Sequence, residues 1–245
     1  MLDIRGTVHR LKQSGNFLTE VAAFHLSNAP QFVDMSYSAV VGQQSIFIVG
    51  VEFNRGFIWR YTTDGRSLGF WPLRNIGAGI TCDDGTHSLY LATSDSNEIY
   101  RLDLDNQKLL YLSRISGARK LGPLTIDPAN QVLYVADIDA GVVYQYSIRT
   151  KSTRTLASGL SAPAALYFDV STGRLYVADA GLKKIVFIDT HAKKAVLTSF
   201  ASSPLKSPTG FALLSGGIAA VTDLSANRVY VFSATGALLS HFPTN

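Results

Sequence analysis

Three aspartates hold matching places in this chain. Asp137, Asp179 and Asp223 each close a five-residue phrase: residues 133–137 and 175–179 both read LeuTyrValAlaAsp, and residues 219–223 read AlaAlaValThrAsp. Carboxylates brought to one rim by a repeated fold could supply oxygen ligands to Ca²⁺. The competing role is structural, because an Asp just after a strand accepts hydrogen bonds from the backbone N–H groups of the next turn. Two decayed copies of the phrase, at residues 46–50 and 89–93, end in Gly50 and Thr93 instead. A ligand set lacking two of five members is weak, so the aspartates are expected to cap turns, and no cofactor or metal is predicted. The histidines, His9, His25, His87, His191 and His241, are spread over different kinds of segment. Neither a zinc site with three or four converging ligands nor a nucleophile with a His base beside it can be assembled from them. Cys82 is the single cysteine, so it has no internal disulfide partner and reads as an inert thiol. The absence of a disulfide framework suits a reducing compartment.

The phrases that carry the aspartates define the architecture. Their last residues, at 50, 93, 137, 179 and 223, are 43, 44, 42 and 44 residues apart. A period in the low forties with several short strands per unit marks a β-propeller blade. Within residues 121–161, apolar runs fall at 123–127, 132–136, 142–147 and 153–157, with turn formers such as AspProAlaAsnGln between them. The second run is apolar on consecutive residues, as in a strand covered on both faces. A second repeat marks the third strand of each unit, at residues 8–11, 58–61, 99–102, 143–146, 185–188 and 229–232. The prediction is an all-β, six-bladed propeller of four-stranded antiparallel blades, one domain over residues 1–245. The blades are placed at 1–30, 31–75, 76–118, 119–161, 162–207 and 208–245. The first holds only third and fourth strands, so it is expected either to be a half-blade or, the favoured expectation, to take its inner pair from a segment upstream of Met1. Gly15, Gly65 and Gly236, each four residues after a third-strand copy, are expected to supply a left-handed position in the hairpin that follows. Gly77 and Gly79 precede a first strand, where close packing at the narrow axis requires small residues.

In such a ring, the loops from strand two to strand three and from strand four to the next blade share one face. Arg55, Arg119, Lys120, Lys183, Lys184, Lys206 and Arg228 fall on or beside those loops, and the chain carries a formal net charge of +4. A basic face suits phosphate or an acidic protein surface. Asp95, Asp139 and Glu52 share that face with the three aspartates and dilute its field. Residues 22–36 read as the longest non-repeating loop of the same face, with Phe24 and Phe32 as aromatic anchors. Lys193 and Lys194 form a further basic pair.

The phrase LeuTyrValAlaAsp, preceded by ProLeuThrIleAspPro and followed by a loop and ValValTyrGlnTyr, resembles the NHL repeat. The resemblance covers residues 122–146, then 163–188 and 208–232, and it survives in the loop SerAlaAsnArg at 225–228. YWTD and gluconolactonase-like propellers share the same broad plan. The gluconolactonase resemblance would imply a Glu, Asn and Asp set lining the channel, but none of Glu20, Glu52 and Glu98 begins a first strand.

The expected function is a non-catalytic binding or scaffold module, which presents one face to a protein or peptide. Single-stranded RNA is the next candidate partner, through Arg119, Lys120, Lys183, Lys184 and Arg228. The alternative is a metal-dependent lactonase or lyase with Asp137, Asp179, Asp223 and Asn227 at the channel. No apolar stretch is long enough to span a membrane.

Overall fold

The structure is a computed structural model that describes residues 7–14, 17–25, 31–38 and 44–244, with side chains from residue 44 onward. Five four-stranded antiparallel sheets follow one another. The first blade holds β3 (Gln31–Ser38), β4 (Ser45–Glu52), β5 (Arg55–Thr62) and β6 (Ser67–Pro72). They follow the two-stranded hairpin of β1 (Thr7–Ser14) and β2 (Phe17–His25). The second blade holds β7 (Gly77–Asp83), β8 (Ser88–Thr93), β9 (Glu98–Asp103) and β10 (Lys108–Arg114). The third holds β11 (Leu121–Asp127), β12 (Val132–Asp137), β13 (Val142–Ser147) and β14 (Ser152–Ser158). The fourth holds β15 (Pro163–Asp169), β16 (Arg174–Asp179), β17 (Lys184–Asp189) and β18 (Thr198–Ala201). The fifth holds β19 (Pro208–Leu213), β20 (Ala219–Asp223), β21 (Arg228–Phe232) and β22 (Leu238–Pro243). First strands of successive blades lie side by side.

Two expectations are corrected here. The propeller has five blades, not six, because β1 and β2 supply only the outer pair of a unit and no inner pair accompanies them among the described residues. Residues 22–36 are not one long loop. Phe24 lies in β2, opposite Val8, and Phe32 lies in β3, opposite Gly50. Segments rich in Val, Phe and Tyr flank a short connection, and their β-propensity extends the pairing from both sides. Gly15 lies outside the described residues, but Gly65 and Gly236 take φ of 90° and 82°, in the left-handed region their hairpins require.

Stacked sheets explain the unbroken apolar second strands. Every residue of β8 and of β12 is buried, because a neighbouring blade covers each face. One aromatic in each of the first four blades fills the next interface. Phe47 packs with Ile80 and Leu91, Tyr90 with Leu124 and Val135, Tyr134 with Leu166 and Val177, and Tyr176 with Val221. The fifth blade has Ala220 at this place. Near the axis the backbones approach closely. A Cβ on Gly77 would stand 2.1 Å from Val49 Cγ2, and one on Gly79 would stand 2.5 Å from the Gly122 carbonyl oxygen.

Candidate functional site

The ends of the second strands decide the shape of one propeller face. Asp137, Asp179 and Asp223 are 0%, 0% and 2% exposed. Asp137 accepts the backbone N–H groups of Arg119 at 2.7 Å, Lys120 at 3.1 Å and Ala140 at 3.0 Å. Asp179 accepts those of Ser161 at 2.8 Å, Ala162 at 3.0 Å and Leu182 at 2.9 Å. Asp223 accepts those of Lys206 at 2.6 Å, Ser207 at 3.1 Å and Ala226 at 2.9 Å. Each carboxylate therefore caps its own turn and also fastens the loop arriving from the previous blade. Charge-assisted bonds of this kind are about twice as strong as neutral ones. The aspartates do not converge, and no group of three or more His, Cys, Asp or Glu residues among those described could hold a metal ion.

The second blade does the same work with other groups. Thr93 replaces the Asp, and Asp95 accepts the Ile76 N–H at 3.0 Å. Glu98 Oε2 then gathers three donors: Asn75 Nδ2 at 2.6 Å, the Tyr100 hydroxyl at 2.6 Å and the Ser96 hydroxyl at 3.0 Å. Burial, and then the adjacent Glu98 carboxylate, push the Tyr100 phenol up to about 12. This node ties the loop between blades one and two to the turn of blade two. Glu98 is thus engaged as a bracket and does not begin a first strand.

The first blade departs furthest. With Gly50 in the Asp position, β4 and β5 run on beyond the pattern of their neighbours. Val51 pairs with Gly56, Glu52 pairs with Arg55, and only Phe53 and Asn54 turn the chain. The turn residues have φ of 47° and 62°. Two positive φ values define the hairpin turn that matches the twist of its strands, and that turn normally carries Asn or Gly. A left-handed conformation costs an ordinary residue about 1–2 kcal/mol, yet Phe53 adopts it and stands 92% exposed. The base of this finger is firm: the Leu73 N–H donates to the Gly56 carbonyl at 2.8 Å. A Cβ on Gly56 would meet the Asn75 carbonyl oxygen at 2.1 Å.

The residues singled out in the sequence occupy this face unevenly. Arg55, Arg119, Lys120, Lys183 and Lys206 are exposed, and Lys184 and Arg228 are partly buried. Arg228 meets His241, Nη1 to Nδ1 at 2.9 Å. The capping carboxylates grip the backbone of Arg119, Lys120 and Lys206 and leave their side chains in solvent. Lys183 holds φ of 57°, in the turn position occupied by Asn97, Gly141 and Asn227 in other blades. Phe24 and Phe32 lie in strands whose side chains are outside the described set. Phe53 was not among the sequence candidates. Its signal was present as PheAsn between two apolar runs, where AsnGly would be ordinary.

No protein-family model matches the chain, and no curated protein matches it. Among solved structures, a chain from the crystal structure of a nidogen/laminin complex is similar, with a TM-score of 0.83 and 17% identity. The match covers 98% of this chain and 90% of that one. At that identity the likeness shows the propeller fold. The match reaches 1395 solved chains, so the fold alone selects no activity.

Proposed function

We propose that this propeller is a non-catalytic binding module that presents the face of the capped turns to a protein or peptide partner. The observation that carries the reading is the β4–β5 finger, which keeps a strained phenylalanine almost wholly in water. Strain retained at an exposed apolar tip stabilises nothing within the chain, whereas a partner that buries it gains a rigid aromatic anchor. Arg55 at the base of the tip and the exposed Arg119, Lys120, Lys183 and Lys206 ring the face with cations. The carboxylates beneath them are committed to backbone N–H groups. An acidic protein surface with an apolar socket complements this arrangement. The resemblance of the repeat to the NHL type fits the same reading, and the similar solved chain comes from a protein–protein complex.

A photo-crosslinking amino acid placed at position 53, and separately at the exposed position 111 on an outer strand, tests the proposal in native extract. Protein adducts are expected from position 53 alone and are expected to weaken with Arg55→Glu. Equal labelling from both positions would sink the reading. Adducts from position 53 that ribonuclease removes would replace the protein partner with RNA.

A further inference from the structure

The opposite face is built from the hairpins between strands one and two and between strands three and four, and its charge is strongly divided. In blade two those hairpins carry Asp83, Asp84, Asp103 and Asp105, with Lys108 as an exposed cation beside them. In blades three and four they carry Arg149, Lys151, Arg174, Lys193 and Lys194, all exposed and none ion-paired among the described residues, against three carboxylates, Asp127, Asp169 and Asp189, each of which accepts hydrogen bonds within its own turn. Arg174 keeps one face of its guanidinium over the Phe187 ring at 4.6 Å. Two exposed aliphatic side chains stand among these cations: Val170, 62% exposed, and Val196, 60% exposed.

The patch is held in shape. Thr190 donates its N–H at 3.1 Å and its hydroxyl at 2.8 Å to the Gly173 carbonyl, joining the two hairpins of blade four. The His191 ring lies so close to Gly173 that a Cβ there would be 2.1 Å from Cε1. In the following segment, Ala195 and Leu197 tuck against the core between blades three and four, while Lys194 and Val196 alternate outward. Inward anchors thus fix which way the lysine and the valine point.

We propose that this face of blades three and four docks on an anionic phospholipid bilayer. Clustered cations are drawn to acidic headgroups, and small exposed aliphatic side chains at loop tips can enter the headgroup layer. Among the described residues the exposed ring beside these cations is His191, and it packs against Gly173, so the patch offers no row of aromatic rings and suits single-stranded nucleic acid less well. The acidic hairpins of blade two would be repelled from the same surface, which would tilt the molecule onto blades three and four. The face with the Phe53 finger would remain free, so this proposal does not rest on the protein-binding reading.

Co-sedimentation with vesicles of phosphatidylcholine alone, and with 30% phosphatidylserine added, gives the test. Binding is expected only with phosphatidylserine and is expected to be lost in high salt. Each cation near such a surface is worth roughly fivefold in partition, so Lys193→Glu with Lys194→Glu should weaken binding by at least about 25-fold. Val170→Ser with Val196→Ser should weaken it severalfold at fixed salt. Arg119→Glu with Lys120→Glu, on the other face, should leave it unchanged. Circular dichroism identifies any variant that has unfolded. The proposal is overturned by equal binding to both vesicles, by binding to neither, or by equal loss from the Arg119 and Lys120 pair. Retention on immobilised heparin without vesicle binding would overturn it in favour of a soluble polyanion.

Discussion

The pinned turns of blades three, four and five and the free finger of blade one occupy the same place in the repeat and have opposite characters. In the pinned turns, one buried carboxylate holds three N–H groups from two different loops, so the surface above it is rigid and its cations are displayed from a fixed backbone. In the finger, Gly50 removes that carboxylate, and two further residue pairs extend the ribbon to a strained aromatic tip. Blade two lies between them, with Asp95 and Glu98 sharing the bracing role. One repeat position can therefore be assigned either to fastening successive blades or to reaching outward. Where Asp stands at this position the turn is pinned, and where Gly50 stands the ribbon runs on.

Removal of a pin should have the largest effect. Asp179→Ala leaves three part-buried backbone N–H groups without their acceptor and is expected to cost about 3 kcal/mol, read as a lower urea midpoint at unchanged slope. A loss below about 1 kcal/mol would mean that water replaces the carboxylate easily, and the pinned platform would then be no stiffer than the finger.

Gly141→Ala should come next. Gly141 has φ of 64°, and an added Cβ would stand 2.2 Å from the Leu160 carbonyl oxygen. Left-handed strain and the clash together are expected to cost about 2 kcal/mol. At the finger the sign reverses. Phe53→Gly relieves a left-handed position with no packing to lose and should raise stability by about 1 kcal/mol, seen as a higher melting temperature. A lower melting temperature would show that Phe53 serves the fold, and the comparison would fail.

The smallest effect concerns the intermediate blade. The Tyr100 phenol should titrate near pH 12 by ultraviolet absorbance, against 10.0 when unperturbed. Glu98→Gln should lower it, because the negative neighbour is gone. Since the folded state holds this proton more tightly than the unfolded chain, its contribution to stability is complete below pH 10 and is lost as pH rises towards 12. A Tyr100 phenol unmoved by Glu98→Gln would separate the two residues and leave blade two unbraced.

Much of the fold was legible along the chain. The 42- to 44-residue spacing, the apolar second strands and the recurrent third strand all reflect local demands repeated in sequence, and the strands lie where those patterns place them. The capping role of Asp137, Asp179 and Asp223 was also readable, because an Asp at a strand end has a local use. Their second role was not: the groups they fasten lie 16 to 18 residues earlier, in a loop that arrives from another blade. Third-strand similarity points to six blades because it registers the lone hairpin β1–β2 as readily as a full sheet.

The sequence by itself determined the all-β repeat, the covered strands and the identity of the charged loops, because periodic burial and turn chemistry act between near neighbours. Only the tertiary structure decided what those charges do. Stacking of the blades buried three carboxylates over backbone N–H groups and left the lysines and arginines in water. It set Phe53 on a ribbon whose length depends on pairing across strands, and it joined hairpins of blades three and four into one basic patch. Those outcomes arise from contacts between residues distant in the chain, which no local pattern records.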